Sequence, residues 1–197
     1  MGKNIEMLKT YHKVLKGNQK EIDSIIPDMY SKSFYDIDFD YIKELKIDNL
    51  IIDVDNTILP PDDINVPIEL INKIEELKDK GFNICLVSNN FKKRLEPVGN
   101  ILKVKYLYEA KKPYIECFER ALVSLETKDK NKTAMIGDQM LTDIKGSKNY
   151  GIYSILVRPI SKHNNIGTYV NRKLQNRIEK YLKRKNRFDK DVYYKNR

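Results

Sequence analysis

The chain has 197 residues, of which 41% are hydrophobic and 33% are charged. This balance predicts one globular domain of moderate size and excludes an intrinsically disordered chain. No apolar run approaches the roughly 18–20 residues of a membrane-spanning helix, and the first residues lack the uninterrupted apolar stretch of a secretory signal.

The net charge of +9 is concentrated near the C-terminus. Residues 172–197 contain eleven Lys or Arg against three acidic residues, a net charge of +8. The rest of the chain is therefore close to neutral, and the overall charge describes the C-terminal segment rather than the whole protein.

The two cysteines, Cys85 and Cys117, lie in apolar segments. This setting is typical of small core residues, not of a disulfide or a metal pair. Unpaired core thiols favour the reducing environment of the cytoplasm.

The first predicted element is an amphipathic helix near the N-terminus. Ile5, Leu8, Tyr11 and Leu15 recur at three- and four-residue spacing, which would place them on one helix face. We expect residues 1–46 to form an extension that precedes the main fold.

The next part of the chain alternates between strand and helix patterns. The strand segments are dense in Ile, Val and Leu without polar alternation, as in buried parallel strands, and the helical segments carry apolar residues on one face. The predicted order is a strand at 49–55, a helix at 67–81, a strand at 82–88, a helix from about Phe91, a strand at 104–109, a helix at 113–125, a strand at 133–138, a helix at 141–151 and a strand at 152–157.

This alternation predicts an α/β fold, a doubly wound parallel sheet with right-handed crossovers and helices on both faces. The connection at 58–67 is too short to fold as a cap domain. We expect a single domain over residues 1–197, with its core at about 47–160 and a basic C-terminal helix and tail at 161–197. In that last helix the apolar residues recur every four positions, at Val170, Leu174, Ile178 and Leu182.

Polar side chains gather where the predicted core strands end. In parallel α/β sheets ligands bind outside the carboxyl ends of the strands, so these positions are candidates for a site. The polar residues at the ends of the first four core strands are Asp53, Asp55 and Thr57, then Ser88, Asn89 and Asn90, then Lys111 and Lys112, and finally Asp138 and Asp143.

Groups of these types suit phosphoryl transfer. Crowded carboxylates repel one another, and a divalent cation that prefers hard oxygen ligands, such as Mg²⁺, relieves the repulsion. The cation, a lysine and hydroxyl groups would together neutralise a phosphate dianion. One carboxylate can attack phosphorus to form an aspartyl phosphate, and a second can protonate the leaving oxygen and then activate water.

Four short motifs carry a resemblance to a known family. The segments "DVDNT", "SNN", "KKP" and "GDQMLTD" resemble, in order and spacing, the four motifs of haloacid-dehalogenase-like (HAD) phosphatases. The second Asp of DxDxT is typical of phosphatases and argues against a dehalogenase. The resemblance covers roughly residues 24–182. It is closest to the YqeG-like branch of subfamily IIIA, which is similar to the phosphatidylglycerophosphate phosphatases of mitochondria and bacteria.

The resemblance implies a role for each motif residue. Asp53 would be the nucleophile and Asp55 the general acid/base, with the Asp55 backbone carbonyl also helping to hold Mg²⁺. The family's lysine directly precedes a proline, which favours Lys112 over Lys111. The phosphate would be bound by Thr57, Ser88, Asn89 and Lys112, and the metal by Asp53, Asp55, Asp138 and Asp143, the last through water or by orienting a ligand.

The substrate implied by the resemblance is phosphatidylglycerophosphate, an anionic phospholipid precursor that would be converted to phosphatidylglycerol. Two other interpretations stay open. The chain can be a phosphatase for soluble sugar or nucleotide phosphates, or an RNA- or ribosome-associated protein on a HAD fold, because a fold does not determine function. A site without a cap suits a membrane-held phosphate, but equally a phosphoprotein.

The basic C-terminal segment also has three interpretations. It can be a solvated charged face without a partner. It can attract the chain to anionic lipid at the inner face of the membrane, with on the order of 1 kcal/mol from each basic residue near the surface. It can also bind RNA or the ribosome, because nucleic-acid phosphates attract the same charges.

Overall fold

The computed structural model describes residues 2–61, 63–161 and 166–189. Six parallel strands form one sheet, in the spatial order β1-β6-β5-β2-β3-β4. The strands are β1 (Met29–Ser31), β2 (Asn49–Ile52), β3 (Asn83–Val87), β4 (Lys105–Leu107), β5 (Thr133–Gly137) and β6 (Tyr153–Val157).

Helices cover both faces of the sheet, which confirms the predicted doubly wound α/β fold. They are α1 (Gly2–Leu15), α2 (Gln19–Asp23), α3 (Phe39–Glu44), α4 (Ile68–Asp79), α5 (Lys92–Leu102), α6 (Ile115–Ser124), α7 (Lys145–Tyr150) and α8 (Ile166–Arg184). A π-helical turn at Met140–Ile144 precedes α7, and a 3₁₀ turn at Lys130–Lys132 precedes β5.

The chain order creates a switch point in the middle of the sheet. From β2 the chain moves outward through β3 and β4, and it then returns to β5 on the other side of β2. Crossovers that leave in opposite directions open a crevice at the carboxyl ends of the two central strands, where α/β proteins bind their ligands.

Successive residues of the strands pack into different apolar clusters, as the two-residue period of a strand requires. On β2, Leu50 and Ile52 pack in the cluster that includes α4 and α5, whereas Ile51 packs with residues of α6. Cys85 and Cys117 both lie in the α6 cluster as buried free thiols, as the sequence predicted.

The N-terminal segment contributes more than an extension. β1 pairs with β6, Met29 lying opposite Ile155, so part of residues 1–46 belongs to the sheet itself. The Asp28 carboxylate fixes this edge by accepting hydrogen bonds from the backbone N–H and the hydroxyl of Ser154, at 2.9 and 2.6 Å. The sequence pattern missed β1 because three residues are too few to show a period.

The predicted apolar face of α1 is wrong for Ile5, Leu8 and Leu15, whereas Tyr11 is partly buried against the cluster that contains Met7. Ile5 and Leu8 are 50% and 43% exposed, while Met7 and Val14 are buried against α8. The buried face also includes Thr10, whose hydroxyl is bonded to Lys145, and a polar residue at that position disguised the face in the sequence.

The predicted face of the C-terminal helix is confirmed for Leu174, Ile178 and Leu182, which are buried in the same cluster. The Val170 side chain and residues 190–197 lie outside the described residues. Across the described ranges, no helix has both the length and the apolar character needed to span a bilayer.

Candidate active site

The loop after β2 places the first acidic residue at the switch point. The Asp53 N–H bonds to the Ile136 carbonyl at 2.9 Å, which extends the β2–β5 pairing by one residue. The chain then turns tightly, with Asn56 in the left-handed region at φ 67°. The N–H groups of Thr57 and Ile58 bond back to the Val54 carbonyl, so the Asp53–Thr57 loop is fixed by its own backbone.

Asp53 is buried and held by two neighbours. Its Oδ2 accepts a hydrogen bond from the Thr57 hydroxyl at 2.9 Å, and its Oδ1 pairs with the ammonium of Lys112. Only 6% of Asp53 is exposed. Thr57 therefore orients the carboxylate that the sequence identified as the candidate nucleophile.

Lys112 is the central cation of the site. Its Nζ lies 2.9 Å from the Asp143 carboxylate and donates to the Val87 carbonyl at 3.1 Å, in addition to its pairing with Asp53. Lys111 is exposed. Lys112, not Lys111, thus reaches the carboxylates, which is the choice that the Lys–Pro motif favoured.

Asn89 is bonded to the backbone of the lysine loop, and its role in phosphate binding stays a prediction. Its side-chain oxygen accepts from the Lys112 N–H at 2.7 Å, and its amide nitrogen donates to the Lys112 carbonyl at 3.2 Å. Both ends of the amide are therefore occupied by the backbone of Lys112. Asn89 thus holds the lysine loop in place, and the amide nitrogen of this exposed residue has a second N–H that the Lys112 carbonyl does not use.

Three carboxylates form a cluster that fits a metal ion. Asp53, Asp138 and Asp143 are all buried, and each offers an oxygen within 4.8 Å of the others. Asp143 Oδ1 lies 2.9 Å from the Lys112 ammonium, whereas Asp138 Oδ1 is buried without a hydrogen-bond donor. Buried anionic oxygens that lack a donor are costly, and a divalent cation with hard oxygen ligands would satisfy them.

The π-helical turn and Gly137 bring Asp143 into the cluster. Two successive N–H groups, of Asp143 and Ile144, bond to the Gln139 carbonyl at 2.9 and 3.3 Å, and the Gln139 N–H in turn donates to Asp143 Oδ2 at 3.1 Å. A Cβ at Gly137 would lie 2.5 Å from the Asp143 side chain, so glycine is required for this close approach.

Burial and charge shift the titration of the central pair. Burial raises the pKa of Asp53 to about 7, with the charges of Asp143 and Asp55 adding to the shift and Lys112 opposing it. Burial disfavours the charged form of Lys112, but Asp143 and Asp53 outweigh it and raise the pKa of the ammonium. The lysine therefore stays charged, and a metal ion beside Asp53 would favour its ionised form.

Asp55 lies apart from the carboxylate cluster. Its Oδ2 accepts from the Ser88 hydroxyl at 3.0 Å and from the Asn90 amide at 2.9 Å, and its Oδ1 accepts from Arg94 at 3.1 Å. The sequence grouped Asp55 with the metal ligands. Its side chain faces the loop after β3, and the metal role that the resemblance implied for Asp55, through its backbone carbonyl, stays a prediction.

Two arginines complete the polar contacts. Arg94 of α5 bonds to Asp55 and to the carbonyls of Pro60 and Pro61, at 3.0 and 3.2 Å, so it ties the loop after β2 to α5. Arg172 of α8 pairs with the Asp138 carboxylate and donates to the Asp138 carbonyl at 3.1 Å.

Comparison with known proteins gives a family for this chain. The model of the family described as "Mitochondrial PGP phosphatase" matches residues 7–161. The Bacillus subtilis protein named "Probable phosphatase YqeG" is 36% identical over 160 residues, which cover 81% of this chain and 92% of that protein.

The chain belongs to this family. It is a HAD-type phosphatase, and the YqeG-like HAD assignment made from the four motifs is confirmed. One solved structure matches 70% of this phosphatase and 84% of its own chain, with a TM-score of 0.50 at 13% identity, which supports the shared fold alone. A HAD phosphatase from Thermococcus onnurineus matches 52% of the chain and 51% of its own, with a TM-score of 0.43 at 19% identity.

Sequence reasoning missed both arginines of the phosphatase. Arg94 follows two exposed lysines in "FKKR", and Arg172 belongs to the basic C-terminal segment, so each looked like one solvated charge among several. Only the folded structure reveals their roles, because each arginine pairs with an aspartate more than thirty positions away in the chain.

Proposed function

We propose that the protein is a Mg²⁺-dependent phosphomonoester hydrolase that works through an aspartyl phosphate on Asp53. The observation that carries this proposal is the setting of Asp53 at the switch point of the sheet. Its carboxylate is oriented by Thr57, paired with Lys112 and clustered with two further carboxylates. Such a setting suits a carboxylate nucleophile that must approach a phosphate dianion.

In the first half-reaction an oxygen of Asp53 attacks the phosphorus atom of the ester. The new bond is Asp53 Oδ–P, and the bond that breaks joins phosphorus to the oxygen of the leaving alcohol. Asp55 gives that oxygen its proton. Lys112 compensates part of the charge on the transferring group, as ammonium groups do in phosphoryl transfer.

In the second half-reaction Asp55 takes a proton from a water molecule as the water oxygen attacks phosphorus. The Asp53 Oδ–P bond breaks, inorganic phosphate forms and the carboxylate is restored. Ser88 can stay bonded to Asp55 throughout, because a hydroxyl donates to the ionised carboxyl and accepts from the protonated one.

The carboxylate cluster would hold the metal, with Asp53, Asp138 and Asp143 as ligands and the Asp55 carbonyl as a further candidate. Bound there, Mg²⁺ supplies positive charge between the carboxylates and the incoming phosphate and thereby lowers the repulsion between them. The buried Asp138 Oδ1, which accepts no hydrogen bond, supports this part of the proposal.

For the substrate we propose phosphatidylglycerophosphate, which would place the enzyme in phospholipid biosynthesis. The name of the matching family supports this choice. In the connection between β2 and α4, the described residues 53–61 and 63–67 form no helix or strand, and a connection this short suits a phosphate carried by a bulky lipid. We further propose that the enzyme is cytoplasmic and contacts anionic membrane peripherally through its basic C-terminal segment.

A substrate screen tests the proposal. Phosphate release from phosphatidylglycerophosphate in mixed micelles is compared with release from soluble sugar and nucleotide phosphates, each with Mg²⁺ and with chelator. We expect the lipid to give the highest kcat/KM, and chelator to abolish turnover.

Asp53→Asn and a matched control run in the same screen. Asp53→Asn should remove all turnover, whereas Asp79→Asn, at an exposed position where α4 ends at the opposite edge, should match wild type. A preference for soluble phosphates would reject the lipid substrate alone. Turnover that survives in Asp53→Asn would reject the mechanism, and an inactive wild type would favour a binding protein that contacts RNA or the ribosome.

A further inference from the structure

Arg172 of α8 places its guanidinium beside the carboxylate cluster. Arg172 is only 11% exposed in its side chain, and its guanidinium pairs with the carboxylate of Asp138 through one nitrogen and donates to the Asp138 carbonyl through the other. A planar guanidinium can bond to two acceptors in a fixed geometry, which an ammonium cannot do equally well.

The helix around Arg172 is anchored to the same loop. Gln175, one turn further along α8, is buried and accepts from the Met140 N–H at 3.0 Å. Ile178 packs with Met140 and Ile144 of the π-helical turn. The position of Arg172 is therefore fixed by contacts of α8 with the residues that follow Asp138, and not by the ion pair alone.

A common pattern links the three clustered carboxylates. Each has one oxygen held by a donor of the protein: Asp53 Oδ2 by Thr57, Asp143 Oδ2 by the Gln139 N–H, and Asp138 Oδ2 by Arg172. The Oδ1 atoms of Asp53 and Asp143 both pair with the Lys112 ammonium, whereas Asp138 Oδ1 is buried and accepts no hydrogen bond. Holding one oxygen of a carboxylate fixes the direction of the other, as donors behind metal ligands commonly do.

We propose that Arg172 is a positioning residue for the divalent cation, which acts by holding Asp138 with Oδ1 directed into the cluster. This inference rests on the metal dependence of the proposed function. In this interpretation α8 contributes to the active site. Arg172, although it lies in the basic segment, acts in metal binding and not in contact with lipid or RNA.

A competing effect has the opposite sign. The charge of Arg172 repels a nearby cation, so a variant that lost only this repulsion would bind the metal more tightly. Arg172→Lys separates the two effects, because lysine keeps the positive charge but cannot bond to the Asp138 carboxylate and carbonyl in the fixed geometry of a guanidinium. Positioning predicts weaker binding for both Arg172→Lys and Arg172→Ala, whereas repulsion predicts tighter binding for Ala and little change for Lys.

The test measures binding of Mn²⁺, as a substitute for Mg²⁺, to the full chain without substrate, using the electron paramagnetic resonance signal of the free ion. We expect Arg172→Lys and Arg172→Ala to raise the Kd for Mn²⁺ by about tenfold to a hundredfold, the usual effect of removing a donor behind a metal ligand. Arg177→Lys and Arg177→Ala are matched controls on the exposed side of α8 and should leave the Kd unchanged.

A second readout separates positioning from a loss of folding. At saturating Mg²⁺ the Arg172→Lys enzyme should recover its kcat with an unchanged KM for the phosphate ester, because only the occupancy of the metal site is impaired. Thermal melting in chelator verifies that each variant is folded. If Arg172→Ala does not fold, Arg172→Lys carries the test.

The outcomes are distinguishable. Wild type and both Arg172 variants binding Mn²⁺ equally would overturn the inference and leave the proposed function intact. Tighter binding by Arg172→Ala with unchanged binding by Arg172→Lys would overturn it in favour of repulsion. A wild type that binds no Mn²⁺ would overturn the metal dependence of the proposed function, and the inference with it.

Discussion

At the residue scale, the site brings opposite charges together in a buried space. Asp53 and Lys112 are 6% and 2% exposed, and each depends on the other for its charge. The pairing does not offset the burial of Asp53, whose pKa is raised to about 7. Removing one partner of such a pair leaves the other uncompensated, which is the costly case for buried ions.

The raised pKa of Asp53 predicts a pH-dependent stability in the absence of divalent cations. The unfolded carboxyl ionises at about pH 3.9, whereas the folded one keeps its proton to about pH 7. Between these values the folded state binds more protons, so its stability falls as the pH rises. Lys112 stays charged throughout this window and contributes no slope.

Asp53→Asn removes this titration. In chelator, the free energy of unfolding of Asp53→Asn relative to wild type should therefore increase from about pH 4 to about pH 7 and level off above. Urea denaturation at several pH values measures this difference. A constant difference, or one that decreases over this range, would contradict the raised pKa.

A second prediction at this scale concerns Gly137. In Gly137→Ala the new Cβ would lie 2.5 Å from the Asp143 side chain, so Asp143 must move away from the cluster. We expect a loss of about 1–3 kcal/mol in the free energy of unfolding together with a large fall in kcat at a fixed Mg²⁺ concentration. A phosphate-release assay measures the change in kcat, and urea denaturation measures the change in the free energy of unfolding.

Gly151→Ala is the control for that prediction. Gly151 has φ 88° and open space around its Cβ position, so alanine there costs about 1–2 kcal/mol of backbone strain without touching the site. It should lose stability and keep its kcat. A normal kcat in Gly137→Ala would contradict the prediction, because it would show that catalysis does not require the observed position of the Asp143 carboxylate.

At the element scale, α8 and the π-helical turn form one packed unit. Ile178 is fully buried among Met140, Leu141 and Ile144, and α1 covers the same cluster from the other side. The turn carries Asp143 and follows Asp138, so the packing of α8 affects how firmly these two proposed metal ligands are held.

Ile178→Ala tests this unit. Truncating a fully buried Ile removes apolar contacts and leaves a cavity, so we expect the free energy of unfolding to fall by about 2–5 kcal/mol. Arg177→Ala, its exposed neighbour in the chain, should change it by less than about 0.5 kcal/mol. A loss below about 1 kcal/mol for Ile178→Ala would mean that α8 is only loosely attached to the rest of the domain.

The elements also show what a sequence alone can predict. The five core strands were predicted from their dense apolar runs, and Asp53, Ser88 and Asp138 from their positions at the ends of such runs. Lys112 was chosen because it directly precedes Pro113, as the lysine of the resembling family does. The local π-helical geometry at Met140–Ile144 was not visible in a pattern that suited an ordinary helix.

The features that the sequence did not reveal depend on long-range contacts. β1 exists through its pairing with β6, and the buried face of α1 includes Thr10 because Lys145 lies opposite it. Arg172 enters the site only because α8 docks beside Asp138. No local pattern distinguishes such residues from solvated ones.

At the scale of the whole molecule, most of the net charge lies in the basic C-terminal segment, of which Arg172 belongs to the active site. The basic segment at 172–197 carries most of the net charge, but two of its arginines pair with acidic residues elsewhere, Arg172 with Asp138 and Arg187 with Asp23. Exposed positions on α8 include Arg177, Lys180 and Arg184. These three are candidates for contact with an anionic surface, together with the tail at 190–197, which lies outside the described residues.

Vesicle binding tests the peripheral membrane contact. We expect the protein to co-sediment with phosphatidylglycerol-containing vesicles at low salt and to be released as salt rises. Changing Arg177, Lys180 and Arg184 together to Gln should weaken binding strongly, at about 1 kcal/mol for each residue near the surface.

The matched control is a variant in which three other exposed lysines, Lys46, Lys103 and Lys128, are changed to Gln. These substitutions remove the same charge at positions that precede strands, on the opposite edge of the sheet. That variant should bind vesicles as wild type does. Absence of vesicle binding at low salt, with salt-sensitive binding to ribosomes instead, would reject the lipid contact in favour of RNA.

The proposed mechanism depends on a covalent phosphoryl intermediate on Asp53, and rapid-quench labelling detects that intermediate. The enzyme is mixed with Mg²⁺ and an aryl phosphate that carries a labelled phosphoryl group, quenched in acid during the first turnover and digested. We predict label on the peptide that contains Asp53, which rises and decays as inorganic phosphate appears and is absent from Asp53→Asn. First-turnover phosphate release without label at Asp53, or undiminished release by Asp53→Asn, would contradict the account.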